Sequence, residues 1–207
     1  MLIVGDVHGK IRQYLARIEK ADSSFQIGDM GLGFDGVILP QMDIVHKWFR
    51  GNHDKPQACR AHYNYAGDYG YDPARELFWV AGAWSIDQNY RVEGLSWWRD
   101  EELTQAEFEV VFETYKNCKP KIVLSHDCPE LIGGMVVDRG PGFYVIGSDG
   151  LPSKAGKIKT RTGRFLEEMW KTHQPDLWIF GHYHISFDTK LMGTRFICLN
   201  ELETFEL

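Results

Sequence analysis

No apolar stretch in this chain approaches the roughly 20 residues needed to cross a bilayer. The opening segment, MLIVGD, is also too short to serve as a secretory leader. A soluble protein is expected. Cysteine is scarce: Cys59, Cys118, Cys128 and Cys198 are scattered, with no C-x-x-C pair. That argues against a disulfide framework or a thiolate zinc site and fits a reducing, cytoplasmic setting. Basic charge is lacking too. Lys and Arg number 23 against 29 Asp and Glu, for a net charge of -6. A coat for long nucleic acid or an anionic membrane is normally basic, so this balance counts against both. It does not count against a small anionic substrate held by metal ions, whose charge escapes the formal sum. Repeats, heptads and low-complexity tracts are missing. What remains is 207 residues, 43% hydrophobic, enough for a single domain with a sizeable core over 1–207.

Five short apolar runs end alike. LIV leads into Gly5-Asp6, FQI into Gly28-Asp29, and IVHKWFR into Gly51-Asn52-His53-Asp54. KIVL leads into Ser125-His126-Asp127, and DLWIF into Gly181-His182-Tyr183-His184. Such runs read as buried strands. Helical spacing lies between some of them. Ile11, Tyr14, Leu15 and Ile18 form one face; Phe108, Val111, Phe112 and Tyr115 form another, after a capping box at Thr104 and Glu107. A third helix is expected over about 163–173. Strands alternating with helices indicate an α/β domain, in which ligands bind beyond the carboxyl ends of the strands. Here all five ends carry Asp, Asn or His, most of them after a glycine that lets the backbone turn closely.

One motif is set aside. GLGFDG, residues 31–36, matches G-x-G-x-x-G, but the dinucleotide reading needs a helix at those glycines. The following VILPQMD, with Pro40 inside it, leaves no room for one.

The strand ends together supply Asp6, His8, Asp29, Asn52, His53, His126, His182 and His184. Imidazole and carboxylate donors without thiolate suit Mn, Fe, Zn or Ni. A set of that size is too large for one tetrahedral ion and suits two ions sharing a carboxylate. Two ions roughly 3.5–4 Å apart can clamp the attacking and leaving oxygens of phosphoryl transfer.

At this point the chain resembles the calcineurin-like metallophosphoesterases. GDVHG, GD at 28–29, GNHD at 51–54, SH at 125–126 and GHYH at 181–184 occur in that family's order. The resemblance implies a four-layer α/β/β/α sandwich with a dimetal site at the strand ends. By position, Asp6, His8 and His184 resemble the ligands of the first metal, Asn52, His126 and His182 those of the second, and Asp29 the bridge. His53 resembles the family's non-ligand catalytic histidine, with Asp54 placed to orient or support it. Two cations would lower the pKa of a shared water and polarise phosphoryl oxygens. An imidazole can protonate the departing oxygen.

The protein serine/threonine phosphatase branch carries G-D-x-x-D-R-G and G-N-H-E. Here those stretches read GDMGLGF and GNHD, so the arginine and aspartate that branch sets beside its histidine are missing. A small phosphoester is therefore expected as substrate, a nucleotide or short nucleotide-like phosphodiester. A protein phosphatase, a nuclease and a non-catalytic scaffold are the alternatives. Arg50 reads as a phosphate contact or a strand cap. Lys159 and Arg161, with Lys154 and Lys157 in an expected mobile loop at about 129–161, read as phosphate-steering or as a solvated face. The rings crowded into 63–100, Tyr69 and Trp98 among them, read as base-stacking or as packing.

Overall fold

The computed structural model describes residues 1–34, 36–139, 144–146, 152–154 and 159–207. Along the chain come β1 (Leu2–Val4), α1 (Ile11–Ile18), β2 (Ser24–Ile27), β3 (His46–Phe49), α2 (Pro56–Arg60), β4 (Tyr69–Asp72) and β5 (Leu77–Val80). A 3-10 turn, Gln88–Tyr90, precedes α3 (Gln105–Cys118), β6 (Ile122–Ser125), α4 (Glu130–Arg139), β7 (Tyr144–Ile146) and β8 (Pro152–Lys154). Then follow α5 (Arg161–Thr172), β9 (Leu177–Phe180), β10 (Phe187–Leu191), β11 (Thr194–Cys198) and β12 (Thr204–Glu206). One sheet has the order β12-β1-β2-β3, the other β10-β11-β9-β6-β5-β4, and β7 pairs with β8. The strands β1, β2 and β3 are mutually parallel, as are β5, β6, β9 and β11, while β4, β10 and β12 join the sheet edges antiparallel.

The apolar runs are continuous because these strands are covered on both faces. Successive side chains point opposite ways, and each direction leads into a different core. Ile3, Phe25, Ile27, Phe49, Leu124, Ile179 and Ile197 meet between the two sheets. Their neighbours Val4 and Trp48 turn outward onto Tyr14 and Ile18 of α1 and Cys59 of α2. On the far side, Val123, Trp178, Phe180 and Phe196 pack against Phe108 and Tyr115 of α3, Ile132 of α4, and Leu166 and Trp170 of α5. The layers are therefore helix, sheet, sheet, helix. Each large side chain fully buried in these cores contributes about 1.5–3 kcal/mol.

All five expected strands form, as do the three expected helices, and the capping box at Thr104 and Glu107 closes in both directions. Part of the span expected as a mobile loop is helical, since α4 occupies Glu130–Arg139. Of the basic residues placed in that loop, Lys157 lies outside the described residues. No helix opens at the glycines of residues 31–36 among the described residues, which removes the dinucleotide reading. Nor is any described helix long and apolar enough to cross a membrane.

Candidate metal centre

Both sheets end at one place. The sheet of β1, β2 and β3 delivers Asp6, His8, Asp29, Asn52 and His53 from the loops after its strands, and the sheet of β6 and β9 delivers His126, His182 and His184. One ligand-type atom from each of Asp6, His8, Asp29 and His184 lies within 4.8 Å of the others, and the same holds for Asp29, His126 and His182. Asp29 belongs to both groups. Asn52, too, is in place, with Oδ1 3.2 Å from His126 Nε2.

The backbone reaches this arrangement under strain. His8, Asp29, His182 and His184 adopt left-handed φ values of 46°, 57°, 70° and 51°, a region that costs non-glycine residues energy and concentrates at functional sites. Glycines permit the close approach. A Cβ on Gly181 would overlap Asp6 Oδ1, and one on Gly28, itself at φ 100°, would overlap the His126 ring.

The donors converge with their acceptor atoms facing one another. His8 Nε2 and His184 Nε2 are 2.8 Å apart. His126 Nδ1 lies 2.9 Å from the Ile27 carbonyl oxygen, so that nitrogen donates to the backbone and Nε2 is turned toward Asp29 and Asn52. Without a cation, protons must hold such a cluster together. Burial opposes charge on these groups, yet the facing charges outweigh it. They hold Asp6 down to about 2 and Asp29 well below the usual carboxylate range, and they hold the His126 imidazole up to about 10. A divalent ion relieves the same conflict. The donor set, imidazole and carboxylate with one neutral amide, fits Mn, Fe, Zn or Ni.

Residues further out fix the donors. Asn52 Nδ2 donates to Ser85 Oγ at 3.1 Å, and Ser85 donates in turn to Glu101 Oε2 at 2.7 Å. That chain points the amide oxygen of Asn52 inward. His182 N–H donates to Asp6 at 3.1 Å, and His53 N–H donates to Asp29 Oδ1 at 2.7 Å.

Residues 1–186 match the family model of the calcineurin-like phosphoesterases. The chain belongs to that family. Among curated protein sequences none matches at a significant level. Among solved structures, GAP50, the anchor in the inner membrane complex of Plasmodium, aligns at 10% identity with a TM-score of 0.48, over 97% of this chain and 71% of its own. A protein assigned as a 5'-nucleotidase from Staphylococcus aureus, in complex with alpha-ketoglutarate, aligns at 13% identity and TM-score 0.49. That alignment covers 98% of this chain and 48% of the other.

In this member of the family, His53 stands beside the cluster, its ring 5.0 Å from that of His8 and stacked 6.3 Å from Phe34. Burial, with the charges of Arg91 and His8, pushes its imidazole down to about 4 against the pull of Asp29 and Asp87. The structure corrects several expectations around it. Asp54 does not orient the His53 ring. Its buried carboxylate accepts the N–H groups of Met30, Gly31, Leu32 and Gly51 at 2.8–3.1 Å, tying the loop after β2 to the turn after β3. Arg50 is not a phosphate contact. It is fully buried, with Nε on Asp68 at 2.9 Å and Nη1 on the Glu101 carbonyl at 2.6 Å. Lys159 and Arg161 pair with Glu130 and Glu102, at 3.7 and 3.5 Å. Trp98 is buried with its ring edge-on to Phe34, and Tyr69 packs on the helix-side core, so neither is a free stacking surface.

Sequence reading missed Arg91. No arginine was expected beside the histidine, yet Arg91 reaches it from the loop after the 3-10 turn, Nη2 lying 2.5 Å from His53 Nε2. No strand ends directly before Arg91, and no spacing flags it. The Asp54 clamp generates a direct test. Asp54→Ala leaves buried donors unpaired, at about 1–3 kcal/mol each, so urea denaturation of the metal-free protein is expected to show a loss of about 3 kcal/mol or more. A loss below about 1 kcal/mol would mean that water replaces the carboxylate.

Proposed function

We propose that this chain is a dimetal-dependent hydrolase of small phosphoesters. The observation that carries the reading is Asp29, shared by two converging donor groups beside a non-ligand histidine. Asp6, His8 and His184 would hold one ion, Asn52, His126 and His182 the other, with Asp29 between them. When bound, the ions would supply a nucleophilic oxygen near neutral pH and polarise the phosphoryl group; Mn is the expected metal. The chain's own residues do the rest. Asn52 ligates without charge, which keeps the centre cationic toward phosphate. His53, held unprotonated in the free protein by burial and Arg91, would give a proton to the departing oxygen once the negative charge of a bound phosphoester lets its imidazole protonate. Phe34, half-buried on the face of His53, is where a planar leaving group would rest. That position favours nucleotides or short nucleotide-like diesters over phosphoproteins.

Three outcomes test this. Asp29→Ala is expected to lose bound metal together with activity, by elemental analysis of the purified variant; two full equivalents retained would remove the bridge. His53→Ala is expected to keep its metals and lose about 10²–10⁴ in turnover. That loss is expected to shrink for nitrophenolate, a leaving group that needs little protonation. Damage independent of the leaving group would assign His53 another task. Finally, metal-free protein reconstituted with Mn, Fe, Zn or Ni is expected to give a higher kcat/KM on nucleotides than on alkyl phosphoesters of equal charge. Stacking worth about 1–3 kcal/mol sets that preference at roughly 5- to 150-fold. Phosphopeptides preferred tenfold would overturn the substrate class and leave the metal centre standing.

A further inference from the structure

The guanidinium of Arg91 is built into the site in an unusual way. It is nearly enclosed, its side chain 8% exposed, although it stands on a loop without regular structure. The loop holds itself together. Val92 N–H donates to Ser96 Oγ at 3.0 Å, Gly94 N–H to the Trp97 carbonyl at 2.8 Å, and Ser85 ties the loop's start to Glu101. Trp98 anchors the far end against Phe34. Two of the three guanidinium nitrogens are used for positioning. Nε lies 2.8 Å from Asp87 Oδ1, off the hydrogen-bond axis, as an ion pair across one turn. Nη1 donates to the Ser96 carbonyl at 3.2 Å. The third, Nη2, is turned onto the His53 ring, 2.5 Å from Nε2 and 3.3 Å from Nδ1.

Nη2 thus lacks an anionic acceptor. A guanidinium forms its strongest bonds with carboxylate or phosphate oxygens, roughly twice as strong as bonds between neutral partners. The Asp87 carboxylate lies on the anchoring side, and the donor atom that faces the candidate metal centre meets only imidazole. The position beside His53 is also where a phosphoryl group would sit if its leaving oxygen is to reach that ring. A non-bridging phosphate oxygen there would be a better acceptor than the ring for the same N–H groups.

We propose that Arg91 is a substrate-binding residue: its Nη2 passes from the His53 ring to a non-bridging oxygen of the phosphoryl group, while Asp87 and the Ser96 carbonyl keep the guanidinium in place. The assignment rests on the phosphoesterase reading for its substrate, but inorganic phosphate is a sufficient probe. It deepens that reading by naming a cation outside the metal centre that recognises the phosphate itself.

The experiment uses the full chain reconstituted with manganese, comparing wild type with Arg91→Ala and Arg91→Lys. Circular dichroism and metal analysis check fold and ion content. Inorganic phosphate is titrated by calorimetry. Loss of a charged hydrogen bond is expected to weaken phosphate binding by about 10- to 150-fold in Arg91→Ala. Arg91→Lys, which keeps the charge but not the planar fork, is expected to show a smaller rise, and it carries the test if the alanine variant does not fold. In turnover, Arg91→Ala is expected to lose the same factor on nitrophenyl and alkyl phosphoesters, because the contact is to the phosphate. A phosphate Kd within twofold of wild type in both variants would overturn the proposal. So would a loss confined to poor leaving groups, which would make Arg91 a positioning residue for His53. A wild type inactive on every phosphoester, yet binding phosphate through Arg91, would overturn the hydrolase reading and support this assignment.

Discussion

Two buried carboxylates and four imidazole rings face one another where the two sheets end, and little else about the site can be understood before that crowding. Taking such groups out of water is expensive unless each has a partner of opposite character. Here the partners within the protein are mostly one another. Asp6 and Asp29 lie within 4 Å of His8, His126 or His184, and the His8 and His184 nitrogens meet at 2.8 Å. Protonated imidazoles satisfy the cluster in one way and divalent cations in another. The second route needs no unusual ionisation of His126.

Holding the donors in place has its own energetic cost, visible in the backbone. Four candidate ligands adopt left-handed φ, each costing on the order of 1–3 kcal/mol. The strain persists because the surroundings are over-determined: glycines where side chains would collide, and the Asp54 carboxylate gathering four N–H groups from two loops. The Asn52–Ser85–Glu101 chain then fixes the one ligand that has no charge of its own.

The parts of this site that were legible from sequence were those tied to strands. A buried parallel strand must be apolar on both faces, so its end is abrupt, and the polar residue that follows must point into the crevice. That logic finds Asp6, Asp29, Asn52, His126 and His182 without any coordinates. It fails for groups delivered by tertiary folding alone. Arg91 arrives on an irregular loop with no periodicity, and Ser85, itself held by Glu101, meets Asn52 only because that same loop folds over. Sequence adjacency misled at Asp54, whose carboxylate turns to backbone amides away from its neighbour's ring. It misled again at Trp98, whose aromatic surface is consumed by packing. The cations at 159 and 161 found nearer carboxylates on Glu130 and Glu102.

Each candidate ion position draws on both sheets: Asp6, His8 and Asp29 with His184 at one, Asp29 and Asn52 with His126 and His182 at the other. An ion there would act as a bolt between two layers that otherwise adhere through an apolar seam of Ile3, Phe25, Phe49, Leu124 and Ile179. Apolar surfaces resist separation but specify sliding position poorly, whereas a coordination sphere tolerates only tenths of an ångström. The relative position of the two sheets and ion occupancy would then be coupled. By mass action, free metal at a thousand times its dissociation constant adds about 4 kcal/mol to the folded state, so the mechanical coherence of the sandwich would follow the metal concentration around it.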